Sequence, residues 1–258
     1  MKYSILYIIS LSFIFAINKS ENICAICSEV INEEYLVDSW GNPFHAKHSV
    51  KAKYCDTCSR IISKRITNGG FKFNDGRYIC SLCEKNIIKD SNQISNSVNK
   101  ILNYYKDLGI VLDKKDFSVE LISLDKLISL NNYHDNEKIK GCTIFLHDLQ
   151  KDRIEIKILY GLNIVEFEGV LAHEIIHAWV YKNNLKFDDM TLEGLCNLGS
   201  AFIYRQNGSY LSSLLLSSIE NNSDPIYGDG YNKMKLELSK IGSWKKLIGN
   251  INKFEIQN

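Results

Sequence analysis

The sequence predicts an α+β fold, in which a small Cys/His-rich β module precedes a larger domain with a short sheet and several helices. Two observations carry this prediction. Six of the eight cysteines lie between residues 24 and 83, in a stretch without long apolar runs. Beyond residue 94, segments with strand-like apolar patterns are followed by segments with helical spacing. Strands followed by helices are typical of α+β domains.

The balance of charged residues argues against one class of function, nucleic-acid binding. The chain has 258 residues, with 31 Lys and Arg against 30 Asp and Glu. Binding to nucleic acid phosphates needs an excess of clustered positive charge. We therefore expect no nucleic-acid partner.

Residues 1–20 have the pattern of an export leader. A short positive start at Met1 and Lys2 precedes an almost wholly apolar run from Tyr3 to Ile17, and polar residues follow. The pattern indicates a signal peptide, with an uncleaved membrane anchor as the alternative. We therefore expect an exported (secreted or periplasmic) or membrane-tethered protein, which contacts a membrane only if the leader is uncleaved.

The Cys/His-rich stretch predicts two structural zinc sites, and we assign residues 21–88 to this module. Ligand pairs two residues apart that meet a second pair are typical of closed tetrahedral zinc sites. Disulfides are the rival interpretation, but they would not use the histidines. Sequential pairing is the natural assignment, and interleaved pairing remains open. The sequential sets are Cys24, Cys27, His45 and His48, then Cys55, Cys58, Cys80 and Cys83.

The larger domain, residues 89–258, begins with a polar stretch, Lys89–Asn92, that we interpret as the hinge to the module. Apolar spacing and alternation predict its elements in order. The helices are expected at Ile94–Leu108, Val165–Lys182, about Thr191–Tyr204 and from about Tyr231, and the strands at Phe117–Ile122, Cys142–Leu146 and Ile154–Tyr160. Cys142 and Cys196 are interpreted as small buried hydrophobic residues.

The helix predicted around residue 173 carries a His-Glu-x-x-His pattern, His173-Glu174-x-x-His177. Residues four apart share one helix face, so both imidazoles can reach one Zn²⁺. Glu174 lies beside the metal, where it can accept a proton from the attacking water as a general base. The pattern therefore predicts the active site of a zinc peptidase.

A catalytic zinc site needs a third protein ligand and an open fourth position. The peptidase class with a His six residues after the second ligand is excluded, because Asn183 occupies that position. Carboxylates on a following helix remain, namely Asp188, Asp189 and Glu193. Glu193 stands in an otherwise apolar segment, where an unpaired carboxylate would be costly and a metal would compensate its charge.

Several motifs together resemble the DA-one family, the LIM-domain-linked, ubiquitin-activated zinc peptidases of plants. The resemblance runs from about Cys24 to Ile251. Its most specific segments are Leu171-Ala172-His173-Glu174-x-x-His177-Ala178-Trp179 and Glu193-Gly194-x-Cys196. Supporting segments are Asn74–Cys83, Ile158–Leu162 and Pro225–Tyr231.

The resemblance implies a LIM-like zinc module followed by a gluzincin-like peptidase domain. In that arrangement His173, His177 and Glu193 bind the catalytic zinc and Glu174 is the base. By analogy, the strand Glu155–Tyr160 would form the edge on which a substrate strand pairs. Tyr227, in the Tyr-Gly-x-Gly loop, would hydrogen-bond the oxyanion.

The chain also departs from the family. His45-x2-His48 replaces a Cys-x2-His pair, and six residues separate the two zinc sets. The sequence shows neither the ubiquitin-interacting helices nor the full LIM domain of plant members. The resemblance therefore carries over the chemistry, and not the ubiquitin activation.

The expected function is a zinc-dependent endopeptidase with one catalytic and two structural Zn²⁺ ions and a protein or peptide substrate. The alternative is a protein-binding role, in which the LIM-like module binds a partner and the peptidase fold is a scaffold with little activity.

Overall fold

The protein is described by a computed structural model covering residues 22–130, 139–147 and 153–256. The predicted leader, residues 1–20, lies outside the described residues. Within the described ranges, no helix is both long and apolar enough to cross a membrane.

The N-terminal part is built from short elements, and each strand pair forms an antiparallel hairpin. Short strands and turns of this kind bury little apolar surface, so other contacts must stabilise them. The elements are β1 (Tyr35–Val37), β2 (Pro43–His45), α1 (Lys64–Thr67), β3 (Gly70–Lys72), β4 (Tyr78–Cys80) and α2 (Ser81–Glu84).

The remaining described part combines a three-stranded sheet with longer helices, so the fold mixes helix and sheet as predicted. The elements are α3 (Ser91–Leu108), β5 (Phe117–Ile122), α4 (Leu124–Leu130), β6 (Gly141–Leu146), β7 (Arg153–Leu159), α5 (Ile164–Lys182), α6 (Asp189–Asn207), α7 (Tyr210–Glu220), α8 (Tyr227–Ile241) and α9 (Trp244–Gly249).

The strand order in the sheet is β5-β7-β6, with β5 parallel and β6 antiparallel to β7. The expectation that Glu155–Tyr160 forms a substrate-binding edge is therefore wrong, because β7 is paired on both sides. The polar Lys157 of β7 is covered by Glu120 of β5 at 2.6 Å and by Glu155 at 2.7 Å. Among the described residues, the two edge strands of this sheet are β5 and β6.

Helix α5 packs on one face of this sheet. Gly141, Thr143 and Phe145 share the face of β6 that meets α5, since an added Cβ on Gly141 would lie 2.7 Å from Glu174 and the Phe145 ring stacks on Tyr181 at 4.0 Å. Twelve residues of α5 are buried, which makes it a core helix and not a surface helix. The helix that carries the His-Glu-x-x-His pattern is therefore held between the sheet and α6.

Two predicted boundaries need correction. Helix α3 begins at Ser91, inside the predicted hinge Lys89–Asn92 and three residues earlier than predicted, because the Asp90 side chain accepts hydrogen bonds from the backbone of Asn92 and Gln93 and caps the helix. Tyr227 is not in a loop but is the first residue of α8. The Asp224 side chain accepts from the Tyr227 amide at 2.8 Å and starts the helix four residues earlier than predicted.

Hydrogen bonds connect the module to the segment in which α5 begins. Asn163 precedes α5, and its side chain accepts from the Val165 amide at 3.0 Å while donating to the Cys83 carbonyl at 3.2 Å. The Arg77 guanidinium donates to the Tyr160 carbonyl at 2.8 Å. The candidate zinc ligands in the module therefore border the loop from which α5 begins.

Candidate metal centres

The first Cys/His set lies together in the module. Cys24, Cys27, His45 and His48 offer ligand atoms within 4.8 Å of one another. The Cys27 sulfur is 3.4 Å from Nδ1 of His45, close to the roughly 3.6 Å that separates sulfur and nitrogen ligands in a tetrahedral zinc site. The buried Nε2 of His48 has no hydrogen-bond partner in the described part of the chain. A metal would satisfy it.

Backbone amides favour a thiolate at Cys24. Burial alone would raise the pKa of this thiol, but amides of Cys27, His45 and Ile26 outweigh burial and lower the pKa to about 6. The Ile26 amide lies 3.4 Å from the sulfur. Because the thiolate is the form that binds metals, the fold favours the ligand form at this position.

The second set, Cys55, Cys58, Cys80 and Cys83, is buried and also converges within 4.8 Å. The sulfurs of Cys58 and Cys80 lie 3.7 Å apart, which matches the edge of about 3.8 Å in a tetrahedral site with four sulfur ligands. The separation is far beyond a disulfide bond of about 2.05 Å. All eight cysteines are free thiols. The pKa of Cys55 is lowered to about 6, chiefly by the hydrogen bond from the Cys58 thiol.

The structure thus pairs the ligands sequentially, and each set could bind zinc. Interleaved pairing is not observed among these eight residues. The mixed helix and sheet fold with two such clusters is consistent with the expected LIM-like module.

A third cluster lies between α5 and α6. Nε2 of His173 and Nε2 of His177 are 3.2 Å apart, and the Glu193 carboxylate lies 3.0 Å from the first and 3.5 Å from the second. With bonds of about 2.0–2.2 Å, ligand atoms of a tetrahedral zinc site lie about 3.3–3.6 Å apart. The three side chains therefore fit the separations that a zinc ion requires.

The hydrogen bonding of this cluster also fits a cation. Nδ1 of His173 faces Oδ1 of Asn197 at 3.2 Å, an acceptor, so Nδ1 carries the proton and Nε2 of a neutral imidazole carries a lone pair. Oε2 of Glu193 is buried, and no donor in the described ranges bonds it with acceptable geometry. Two lone-pair atoms that face each other need a positive charge between them.

The electrostatics agree with this interpretation. Burial alone would lower the pKa of His173, but the Glu193 carboxylate, with Glu174 nearby, raises it above its usual value. Burial opposes ionisation of Glu193, yet the two imidazoles hold its pKa well below the usual range. A proton on His173 can thus take the place of the cation, and a metal would compete with it.

Cys196 is a second candidate for the third ligand. Its sulfur lies within 4.8 Å of the ligand nitrogens of both histidines, and the residue is fully buried. Burial, with Glu193 and Glu174 nearby, raises the pKa of this thiol well above its usual value. The thiol is a poor ligand, whereas the Glu193 carboxylate is ionised and lies 3.0 and 3.5 Å from the two imidazole nitrogens, so charge and geometry favour Glu193. The sequence interpretation of Cys196 as a plain buried hydrophobic residue missed its place beside the site.

Glu174 lies beside the cluster without belonging to it. Its side chain is held from the sheet, where the Thr143 hydroxyl donates to Oε2 at 2.8 Å. Gly141 leaves the space that the carboxylate occupies, since a Cβ there would lie 2.7 Å from Oε1. Glu174 is buried, so this carboxylate is fixed in place between β6 and α5.

The other candidates lie elsewhere. Asp188 caps α6, accepting from the Thr191 amide at 2.8 Å and from its hydroxyl at 2.7 Å. Asp189 is exposed at the first position of α6. The Tyr227 side chain is 44% exposed, and its carbonyl accepts from Asn197 at 3.0 Å. Asn197 therefore lies between Tyr227 and His173 and hydrogen-bonds to both.

Sequence reasoning missed Asn197, Thr143 and Gly141. Asn197 follows Glu193 by four residues, so helical spacing places both on one face of α6 and could have found it. Thr143 and Gly141 approach Glu174 only through the packing of β6 on α5. No local pattern signals that contact.

Comparison with known proteins gives two curated relatives, both from Arabidopsis thaliana. Protein DA1-related 2 is 23% identical over 68% of this chain and 40% of its own length. Protein DA1 is 22% identical over 87% of this chain and 54% of its own length. This chain is a distant relative of the DA-one family.

The chain spans about half the length of these relatives or less, 54% and 40%. No protein-family model matches the chain. No solved structure matches it either.

Proposed function

We propose that this chain is a zinc-dependent endopeptidase of the gluzincin type, in which His173, His177 and Glu193 bind zinc and Glu174 is the general base. The observation that carries the proposal is the separation of 3.0–3.5 Å among the three ligand groups. The similarity to the two DA1 proteins agrees with the family resemblance that implies this chemistry.

A bound Zn²⁺ would act as a Lewis acid on the peptide carbonyl and lower the pKa of the attacking water to about 7. Glu174 accepts the proton of that water and passes it to the leaving amine. The Thr143 hydroxyl holds Oε2 of Glu174, so the proton acceptor keeps one orientation. His173 and His177 are neutral when they bind the metal.

Strand β6 is the element best placed to bind a peptide backbone. Among the described residues, its only strand partner is β7, and its inner face touches Glu174 and Tyr181. An extended substrate that pairs with the other edge of β6 would run beside the site. This replaces the pairing with Glu155–Tyr160 that the resemblance implied. The Tyr227 hydroxyl, at the start of α8, donates a hydrogen bond to the oxyanion.

The test is Glu174→Gln, with Glu237→Gln in α8 as a matched control. We expect the parent to bind three zinc ions, one of them removable by mild chelation. Glu174→Gln should keep all three and lose cleavage of a proteome-derived peptide library by a factor of about 10²–10⁴. Cleavage at the parent rate by Glu174→Gln would refute the assignment of the base.

The alternative function is protein binding through the LIM-like module. It is favoured by one observation, the exposure of all three residues of β1: Tyr35 at 46%, Leu36 at 46% and Val37 at 57%. Elemental analysis separates the two functions. Two zinc ions in the parent, with no labile third, would support binding and not catalysis.

Export or membrane tethering, and a protein or peptide substrate, complete the proposal. Fractionation of cells that express the full chain would test the first. If the chain stays in the cytosol with residues 1–20 intact, the leader assignment is wrong.

A further inference from the structure

Asn197 bonds two groups that the proposed mechanism treats separately. Its Oδ1 lies 3.2 Å from Nδ1 of His173, and its Nδ2 donates to the Tyr227 carbonyl at 3.0 Å. One side chain on α6 thus connects a candidate zinc ligand on α5 with the first residue of α8.

The direction of the Asn197 amide follows from its partners. A backbone carbonyl only accepts hydrogen bonds, so the NH₂ group must face the Tyr227 carbonyl. The amide oxygen then faces His173, and Nδ1 of that ring must donate to it. The lone pair of the neutral ring is thereby placed on Nε2, which faces His177 and Glu193.

The start of α8, which carries the Tyr227 carbonyl, is held by contacts of its own. The Asp224 side chain accepts from the amides of Ile226 and Tyr227, both at 2.8 Å. Helices α6 and α8 also touch backbone to backbone, since a Cβ added to Gly194 would lie 2.1 Å from the Gly230 carbonyl oxygen. The start of α8 therefore has a fixed position relative to α6. Through its two hydrogen bonds, Asn197 links the orientation of the His173 ring to that position.

We propose that Asn197 is a positioning residue that selects the tautomer of His173 and couples the start of α8 to the metal site. The inference rests on the proposed function, because it assumes that Nε2 of His173 binds zinc. It adds a dependence on the segment from Asp224 to Gly230, since movement of this segment would turn the amide away from His173.

Two variants distinguish the contributions of the two hydrogen bonds that the Asn197 amide makes. Asn197→Leu has a similar size but makes neither bond. Asn197→Asp still accepts from His173 but places a carboxylate oxygen against the Tyr227 carbonyl oxygen, which repels it. Gln206→Leu, an exposed amide on the same helix, is the matched control.

The first readout is the affinity for the labile zinc, measured by chelator competition on the full chain. Loss of an outer hydrogen bond to a metal-binding histidine typically weakens affinity about 10–100-fold. We expect that loss for Asn197→Leu, and affinity within about 3-fold of the parent or tighter for Asn197→Asp, because a carboxylate partner makes the ring a better ligand.

The second readout is hydrogen exchange of the amides in residues 224–231. We expect faster exchange in both Asn197 variants and none of this change in the Gln206→Leu control. A role in packing alone would affect Leu and Asp variants alike in zinc affinity, and that result would overturn the proposal. So would unchanged zinc affinity in Asn197→Leu.

The outcomes also separate this inference from the proposed function. A parent chain that binds no labile zinc refutes the function itself. A parent with labile zinc whose Asn197→Leu variant binds it equally well refutes only the role of Asn197. If Asn197→Leu fails to fold, the Asp variant still decides, because it must keep zinc while the start of α8 exchanges faster.

Discussion

The clusters in the module and the cluster between α5 and α6 are held by different parts of the protein. In the module, ligands lie on short strands and turns, around small apolar groups such as Ile79 and Ile87. Between α5 and α6, the ligands project from two 19-residue helices inside the main core. The first arrangement offers four ligands per cluster and the second offers three, with Glu174 beside them.

This difference indicates what a metal does in each place. A segment that buries little apolar surface needs the metal for its stability, because binding energy then becomes folding energy. A site whose ligands are positioned by a core can leave a coordination position open for a substrate. We therefore expect damage to the module to cost stability, and damage to the α5–α6 cluster to cost chemistry.

The largest effect is expected for Cys80→Ser, which removes a ligand of the buried four-cysteine cluster. Loss of a structural metal is among the few changes that cost more than about 4 kcal/mol. The module should unfold at lower denaturant than the rest of the chain, and zinc content should fall by one. Cys142→Ser, which lies outside this cluster, is the control. Equal unfolding curves for Cys80→Ser and the parent would remove the distinction between the two regions.

The next effect concerns chemistry. Thr143→Val removes the hydroxyl that donates to Glu174 and keeps the shape of the side chain. A hydrogen bond to a charged group contributes about 1.5–3 kcal/mol, so kcat should fall by roughly one to two orders of magnitude. Zinc content should not change. Thr143→Ser keeps the donor and should retain most of the activity, which excludes a mere packing effect.

Much of the fold could be predicted where local patterns are strong. The strand Phe117–Ile122 and the helix Val165–Lys182 appear within a residue of their expected bounds. Helices α4, α7 and α9 were not predicted. In α7, Tyr210–Glu220, repeated serines blur the apolar spacing and favour turns as much as helix.

The order of the strands could not be predicted, because pairing depends on contacts far apart in sequence. The edge position expected for Glu155–Tyr160 came from the family resemblance alone, and the pattern of β7 includes the polar residues Glu155 and Lys157. Lys157 is in fact 9% exposed, paired with Glu120 of the neighbouring strand. The position of Glu193 beside the histidines agrees with the expectation from its apolar context. Asn197 and Thr143 act through neighbours that only the packed fold brings near.

A smaller effect is expected for Gly194→Ala, which tests whether the core positions the α5–α6 cluster. The added methyl would lie 2.1 Å from the Gly230 carbonyl oxygen, so α6 and α8 must separate. Overpacking of this kind typically costs about 1–3 kcal/mol. Because Glu193 is adjacent, affinity for the labile zinc should fall as well. Gly249→Ala, where the added methyl meets open space, is the control and should change neither quantity.

The smallest effect is expected for Arg77→Met, which breaks the bond between the module and the loop before α5. Arg77 donates to the Tyr160 carbonyl and pairs with Asp75 at 2.8 Å. Loss of these bonds should lower the free energy of unfolding by about 0.5–1.5 kcal/mol at neutral pH. Arg65→Met on α1, an exposed arginine, should change it less.

The dependence of this effect on pH identifies its cause. Burial alone would raise the pKa of Asp75, but Arg77 holds it below its usual value. A carboxylate with a lowered pKa stabilises the folded state above its unfolded pKa of about 3.9, and this contribution is lost as pH falls through the folded value. The difference between the parent and Arg77→Met should therefore shrink below about pH 4. A difference that stays constant to pH 3 would instead assign the effect to stacking of the guanidinium on Phe73, 4.7 Å from the ring centre.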